Sequence, residues 1–375
     1  MTRSRRHVTA VARTLAPSSG LVVLVALASS SCLFAPDIAG AGYVACKSDD
    51  DCDPGRTCAS DANVCAPPPW DDQQYEARRL LTITNNDTAL LKKGTAVPVV
   101  VGGDHGVLTL DDVKADFRVT DFSPATQKWS VLSVFIDPQS DRFTTWIATQ
   151  RDIEPGRSDA LAFIESETTA GVVTVHEDPR ATFAFFEDFA QPLDDSAWRV
   201  RGSPTQADGK INVGQQQSIV LKQPFTPPVT ATALVRVNGV TCDKVFVGFI
   251  GDDRSLFAVG PSAGVFVDQD LASTAQIAPD AASVPTAVGA PFTSTTGFAR
   301  ASVAVDGGGV QIGVDDNVAY LESDLRPPFA NAPLYLAILV GGACSVDVDA
   351  VWVTPLPQPA PTVTAAGIVR FQLFN

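Results

Sequence analysis

Apolar and polar positions alternate along most of the chain in short bursts, the period-2 rhythm of strands that bury one face and wet the other. The pattern is cleanest where Val310, Ile312 and Val314 are set against Gln311, Gly313 and Asp315. Ala301–Val305 and Val310–Val314 flank Asp306-Gly307-Gly308-Gly309, which predicts a hairpin. Thr232–Val237, Val245–Ile250, Leu256–Val259, Leu334–Val340 and Val346–Val353 continue the series. Earlier segments are Leu80–Thr84, Ala96–Val101, Phe117–Thr120, Val131–Ile136, Phe143–Ala148, Leu161–Ile164 and Val172–His176. Turn clusters such as Asn85-Asn86-Asp87 and Glu154-Pro155-Gly156-Arg157 divide them. Only Asp71–Arg79 and Asp111–Lys114 read as helical. Such a rhythm predicts an all-β fold of two consecutive β-sandwiches of the jelly-roll kind. A length of 375 residues agrees with two domains.

The two bodies meet in Ala181–Val200. There Phe183, Phe185, Phe186, Phe189 and Trp198 crowd around Glu187, Asp188, Asp194 and Asp195. Each aromatic removes roughly 150–250 Å² from water when buried, so this stretch predicts a core and a domain seam. The first sandwich is placed at residues 70–181 and the second at 182–355. Residues 356–375 read as a Pro-rich tail, with Ile368–Phe374 a loose edge strand.

Residues 1–31 have the build of a secretory signal. Arg3, Arg5, Arg6 and Arg13 precede the apolar run Leu21–Ala28, and Ser29-Ser30-Ser31 lead into Cys32. The run falls short of the ~20 apolar residues of a spanning helix. Small residues directly before a cysteine resemble the lipobox of bacterial lipoproteins, with Ser29 standing where that pattern prefers Leu. The resemblance implies acylation of Cys32, a tether over residues 32–45, and a membrane partner reached through the lipid. Leu33, rather than Asp, after the cysteine implies the outer membrane of a Gram-negative envelope, with the body on its periplasmic side or at the cell surface.

Cysteine arithmetic agrees. Of seven cysteines, Cys46, Cys52, Cys58 and Cys65 cluster in a module at residues 46–66, Cys242 and Cys344 lie in the second sandwich, and Cys32 is left over. In an oxidising compartment this predicts one lipid and three disulfides, with three pairings open inside the cluster. A Cys242–Cys344 bridge would close a loop of ~100 residues. The C-x5-C-x5-C-x6-C spacing departs from the C-x2-C of structural zinc sites, and no histidine is near. Asp49, Asp51 and Asp53 hint at a calcium loop, but Pro54 stands where an EF-hand needs glycine and the bidentate Glu is missing. The module reads as a spacer or small docking knob, followed by the stiff linker Ala66–Trp70.

The formal charge is −15, and removing residues 1–31 leaves 23 basic against 42 acidic side chains, or −19. Such a surface repels nucleic acid phosphates, so a nucleic acid partner is excluded.

Chemistry is sparse. Only His105 and His176 remain beyond the signal, in different contexts, and HExxH, GxSxG, phosphate-loop and dinucleotide patterns are all missing. No catalytic residue, metal ligand or cofactor is therefore assigned. Glu187 and Asp188 are adjacent, so on a strand they would face opposite sides, and they read as solvent or cap contacts at the seam. Asp188 with Asp347 or Asp349 is the candidate calcium pair. Trp146, Trp198 and Trp352 could stack on sugar, with buried core the stronger reading for each.

Several stretches carry family likenesses. Ser48, Asp49, Asp51, Cys52, Gly55 and Cys58 are similar to the small Cys-rich modules of bacterial surface lipoproteins. Tyr75 with Arg78–Asn85, Asp116–Thr120, Thr145–Ala148 with Pro155-Gly156, and Ala181–Phe189 resemble the bacterial domain of unknown function 2341 in order and spacing. That likeness implies an extracytoplasmic β domain and no chemistry. Phe186–Phe189 with Trp198, the Val305–Gly309 and Val314–Asp316 hairpin pair and Asp347–Val353 resemble a concanavalin- or laminin-G-like jelly roll. The expectation is a lipid-anchored envelope lipoprotein that binds polysaccharide or another envelope protein without catalysis. The alternatives are a carbohydrate-active enzyme on the same frame and a structural spacer.

Overall fold

Alternation along the chain becomes five antiparallel sheets in a computed structural model. It describes residues 46–52, 57–59, 64–66, 77–100, 117–123, 126, 128–137, 144–166, 178–238, 245–251, 262–267, 273–278, 286–288, 297–306, 309–315, 317–322, 332–356, 360–365 and 369–370. All lie in one compact unit, 43–375. The signal, Cys32, the tether, His105, His176 and Cys242 fall outside the described residues, as do the strands expected at Leu256–Val259 and Val172–His176.

The Cys-rich module is a hairpin of β1 (Thr57–Ala59) and β2 (Val64–Ala66) with Cys58 opposite Cys65. Cys46 bonds Cys58 and Cys52 bonds Cys65, which selects one of the three open pairings. The N–H groups of Lys47 and Ser48 donate to the Asp51 carboxylate at 2.7 and 3.1 Å, closing the 3-10 turn Asp49–Asp51. These hydrogen bonds hold Asp51 below the ordinary carboxylate pKa, and it serves as a turn cap.

The first sandwich uses β3 (Ala77–Thr84), β4 (Ala96–Val100), β5 (Phe117–Ser123), β6 (Lys128–Val131), β7 (Val134–Asp137), β8 (Thr144–Ala148) and β9 (Ser158–Ser166). Helix was expected through Arg79, but Ala77–Arg79 open β3, where they pair with Ile164–Ser166. The single strand expected at Val131–Ile136 is two: Val131 ends β6, Leu132-Ser133 form a corner, and β7 joins the other sheet. Buried Asn85 pins the turn after β3, donating to the carbonyls of Ala89 and Ile153 at 2.9 and 2.8 Å.

A short helix, α1 (Pro179–Thr182), opens the seam with Asp178 as N-cap and Pro179 in its first turn. The second sandwich follows with β10 (Phe185–Glu187), β11 (Trp198–Arg201), β12 (Thr205–Ala207), β13 (Lys210–Val213) and β14 (Gln217–Leu221). Next come β15 (Val229–Asn238), β16 (Val245–Ile250), β17 (Ser262–Val267), β18 (Ser273–Ala278) and β19 (Thr286–Val288). The last are β20 (Ala299–Val305), β21 (Gly309–Val314), β22 (Asn317–Glu322), β23 (Tyr335–Val340) and β24 (Ser345–Pro355). An eight-stranded sheet, β12-β13-β24-β15-β20-β21-β22 with β10 also on β24, faces a seven-stranded sheet, β11-β14-β23-β16-β17-β18-β19. Trp198, Ile219, Phe249, Val303, Ile338 and Val351 are among the buried side chains between them. The expected hairpin is present, with β20 paired to β21.

The tail holds one strand within the edge strand expected at Ile368–Phe374 and a second, Thr362–Ala365, that was not expected. β25 (Thr362–Ala365) and β26 (Val369–Arg370) both pair with β3, giving the six-stranded sheet order β25-β3-β9-β5-β6. This sheet packs on the three-stranded sheet β4-β8-β7 through Ile83, Leu91, Val97 and Ile153, with Val363 of the tail against them. The first sandwich thus takes strands from both ends of the chain.

The two sandwiches share a core of their own. Ala96 and Phe135 from the first, Phe183 and Phe186 from the seam, and Leu234, Ala350 and Trp352 from the second form one buried cluster, with Trp146 and Phe298 beside it. A β-bulge makes this possible. Leu234 pairs with Ala350 but Val235 pairs with Val348, leaving Asp349 unmatched. Val346 and Val348 therefore face the sandwich interior before the bulge, Val351 and Val353 after it, and Ala350 and Trp352 turn outward to the joint.

Candidate functional site

The seam places its charged residues beside this joint. β10 ends at Glu187, and Phe189 takes a left-handed φ of 53°, so the chain turns before Asp188 can occupy the next strand position. Glu187 and Asp188 consequently converge on one guanidinium instead of facing opposite sides. Arg180 Nη2 lies 3.5 Å from Glu187 Oε1 and 3.2 Å from Asp188 Oδ1. Each acid also accepts a backbone N–H two residues on, Glu187 from Phe189 at 3.1 Å and Asp188 from Ala190 at 3.2 Å. The cap reading of these acids matches the geometry.

Beside this turn lies an open hollow of ≈ 400 Å³ between the loop Phe189–Pro192 and the β12–β13 hairpin. Gln206 spans it, accepting from Leu193 N–H at 2.8 Å and donating to the carbonyls of Phe189 and Gln191 at 3.1 and 2.8 Å. Asp208 and Gly209 at the hairpin tip are both left-handed, with φ of 52° and 68°. The Phe189 ring leaves the hollow for the sandwich core, where it packs on Trp198 at 6.1 Å.

On the outer face of the eight-stranded sheet, Asp347 accepts from Asn212 Nδ2 at 2.6 Å and from Arg236 Nη2 and Nε at 2.6 and 3.2 Å. Burial by itself pushes the Asp347 carboxyl up. Hydrogen bonds from Asn212, Asn238 and Arg236, with the guanidinium charge, outweigh that and hold it below the usual carboxylate value. Asp349, at the bulge, faces Lys210 Nζ at 3.9 Å. Lys210 and Arg236 also lie over the Phe298 ring, 5.2 and 5.0 Å from its centre. The acids singled out for calcium are thus divided: Asp188 belongs to Arg180, Asp347 to Arg236 and Asp349 to Lys210. Among the described residues, the sulfurs of Cys46, Cys52 and Cys65 form the one set of three such ligand atoms within 4.8 Å, and disulfides use all three.

Trp198 and Trp352 are buried, and Trp146 is half-buried against the joint, so core packing is where these rings are used. Cys344 is disulfide-bonded. Cys242 lies outside the described residues, yet its described flanks close on those of Cys344: Asn238 pairs with Ser345 and Val245 with Val340. The sequence reading missed Gln206, Arg236, Phe298 and the Asp137–Arg300 ion pair across the joint. The last had a faint signal, since an acid ending the apolar run Val134–Ile136 needs a partner when buried. The others had none, because their partners are more than ten residues away in sequence.

No family model matches the chain, and no curated protein matches it. Solved structures do. LamAcat from Zobellia galactanivorans is 12% identical, with 46% of this chain covering 97% of that one at a TM-score of 0.38. An endo-β-1,3-glucanase from Pyrococcus furiosus is 12% identical, with coverages of 46% and 94% and a TM-score of 0.38. An immunostimulatory antigen and pseudo β-1,3-glucanase of Mycobacterium tuberculosis is 13% identical, with coverages of 46% and 98% and a TM-score of 0.34. Likeness at this level concerns the fold alone.

Proposed function

We propose that the mature chain is a lipid-anchored envelope protein whose joined sandwiches form a non-catalytic module that binds polysaccharide or another envelope protein. The observation that supports the non-catalytic part is the engagement of its seam and sheet-face acids. Glu187 and Asp188 are tied to Arg180, Asp347 to Arg236 and Asp349 to Lys210. Acid–base work on a glycosidic bond needs two carboxylates facing a sugar, roughly 5–9.5 Å apart. Here the carboxylates brace turns and strands. The two disulfides of the module support an oxidising compartment, and Cys32 remains the proposed acylation site.

The test uses the whole mature chain, because a fragment stopping at Pro355 would lose β25 and β26. Retention of a defined glycan on an array, without release of reducing sugar, is the expected result for a polysaccharide binder. Cross-linking to one envelope protein in intact cells is the expected result for the other partner. Sugar release from a retained glycan would overturn the non-catalytic reading, and failure of both assays would leave the spacer. Cells grown on labelled palmitate should mark the wild type and leave Cys32→Ala unlabelled; equal labelling would remove the anchor.

A further inference from the structure

Among the described residues, the outer edge of β3 is covered by β25 and β26 alone. On one side β3 pairs with β9 along its whole length, Ala77↔Ser166 to Thr84↔Ser158. On the other side the cover is thin: Thr362↔Thr84 to Ala365↔Leu81, then Val369↔Arg78 and Arg370↔Ala77. Thr362 and Thr364 are exposed, and Val363 is the half-buried residue that reaches the sandwich core. Asn86 adds a clasp, donating to the Ala360 carbonyl at 2.9 Å and to Thr362 Oγ1 at 2.6 Å.

Two physical facts make this cover separable from the body it closes. The segment leading to it carries prolines at 355, 357, 359 and 361, so every second residue lacks an N–H and cannot donate to a ladder. Beneath the cover lies Leu80-Leu81-Thr82-Ile83-Thr84, whose strand would present a row of N–H and C=O groups once bare. A strand edge of that kind accepts another strand of matching pattern. The pattern that matches in register is the one already seated there, so the same segment of a second molecule makes the same hydrogen bonds. Exchange leaves the contacts unchanged and is decided by concentration against the effective concentration of the tethered strand, in the millimolar range for a short linker.

We propose that β25 and β26 form an exchangeable latch, and that the β3 edge they close is a self-association site for the same strands of a second copy. The inference is independent of the lipid anchor and of any glycan ligand.

Thr82 and Thr364 stand opposite each other in the ladder, which supplies the test. Thr82→Cys and Thr364→Cys are made separately in the mature chain, mixed at high concentration and oxidised. A disulfide-linked dimer found in the mixture, above the level in either variant alone or in a Lys93→Cys control at an exposed site, is the expected result. Rapid intramolecular closure in the double variant, with no dimer in the mixture at any concentration, would overturn the proposal. A readout without new thiols adds a synthetic peptide of residues 361–370 to the intact mature chain. The peptide should compete for the β3 edge and lower the self-association of the chain. Self-association left unchanged at saturating peptide would count against the latch.

Discussion

Replacing Phe183 by Ala tests the joint between the sandwiches most directly. Phe183 is 6% exposed and touches rings from both sides: Phe135 and Trp146 of the first sandwich at 5.2 and 5.6 Å, Phe186 and Trp352 on the second at 6.1 and 5.8 Å. Removing a buried Phe costs about 3–5 kcal/mol, counting both lost transfer energy and the cavity. Aromatic pairs add about 0.5–1.5 kcal/mol each beyond area, which places this position toward the upper end. At roughly 2–4 °C per kcal/mol for a body of this size, the unfolding midpoint falls on the order of 10 °C. The pattern of the loss matters more than its size. Phe183 belongs to the shared cluster and not to the interior of either sandwich, so the variant should unfold in two calorimetric steps where the wild type gives one. Phe185→Ala is the comparison: its ring packs on Trp198 at 5.8 Å inside the second sandwich, so one sandwich should weaken while coupling persists. A Phe183→Ala protein with an unshifted, single transition would refute the idea that this ring couples the two bodies.

Arg300 ion-pairs with Asp137 across the same joint, and the Asp137 side chain is 3% exposed. Arg300→Ala removes the guanidinium that faces this buried carboxylate and should cost on the order of 3 kcal/mol in urea unfolding, while adding Asp137→Asn should recover a large part; a neutral single variant would contradict this. The proposed Cys242–Cys344 bridge closes ~100 residues, worth about 4–5 kcal/mol in the chain-entropy model. Reductant should therefore lower the midpoint of the second sandwich and have no effect on Cys242→Ala/Cys344→Ala, whereas an unchanged wild-type midpoint would argue against the bridge. Asp347 is held below its ordinary pKa of 3.8, so its contribution is present above that value and lost as pH falls through the lowered one. Stability of Asp347→Asn should accordingly fall less steeply than wild type below about pH 4; parallel curves would show that the Arg236–Asn212 network does not couple to folding.

Much of this architecture was legible in period and punctuation. Expected segments such as Val245–Ile250 and Phe117–Thr120 lie within observed strands, because a half-buried strand writes its two faces into alternate residues. The Asp306–Gly309 turn and the clustering of four cysteines were local signals of the same kind. The candidate site was far less legible. Glu187 and Asp188 could be read as cap residues, but their convergence on Arg180 depends on a left-handed Phe189, a conformation that a bulky side chain disfavours.

By itself, the sequence determined the all-β class, the disulfide-rich start and the aromatic seam, since each follows from residue types at short spacing. Tertiary structure alone decided where the aromatics go. A strict alternation through Val346, Val348, Ala350 and Trp352 would put all four on one face. The bulge at Asp349 moves the last two to the other face, and Trp352 becomes part of the joint instead of the interior. The tail likewise finds its place on β3, where the Asn86 clasp holds Ala360, 274 residues further along the chain. Pairing over such a separation leaves no mark in local pattern, because it is set by which edge remains open once the nearer strands have closed.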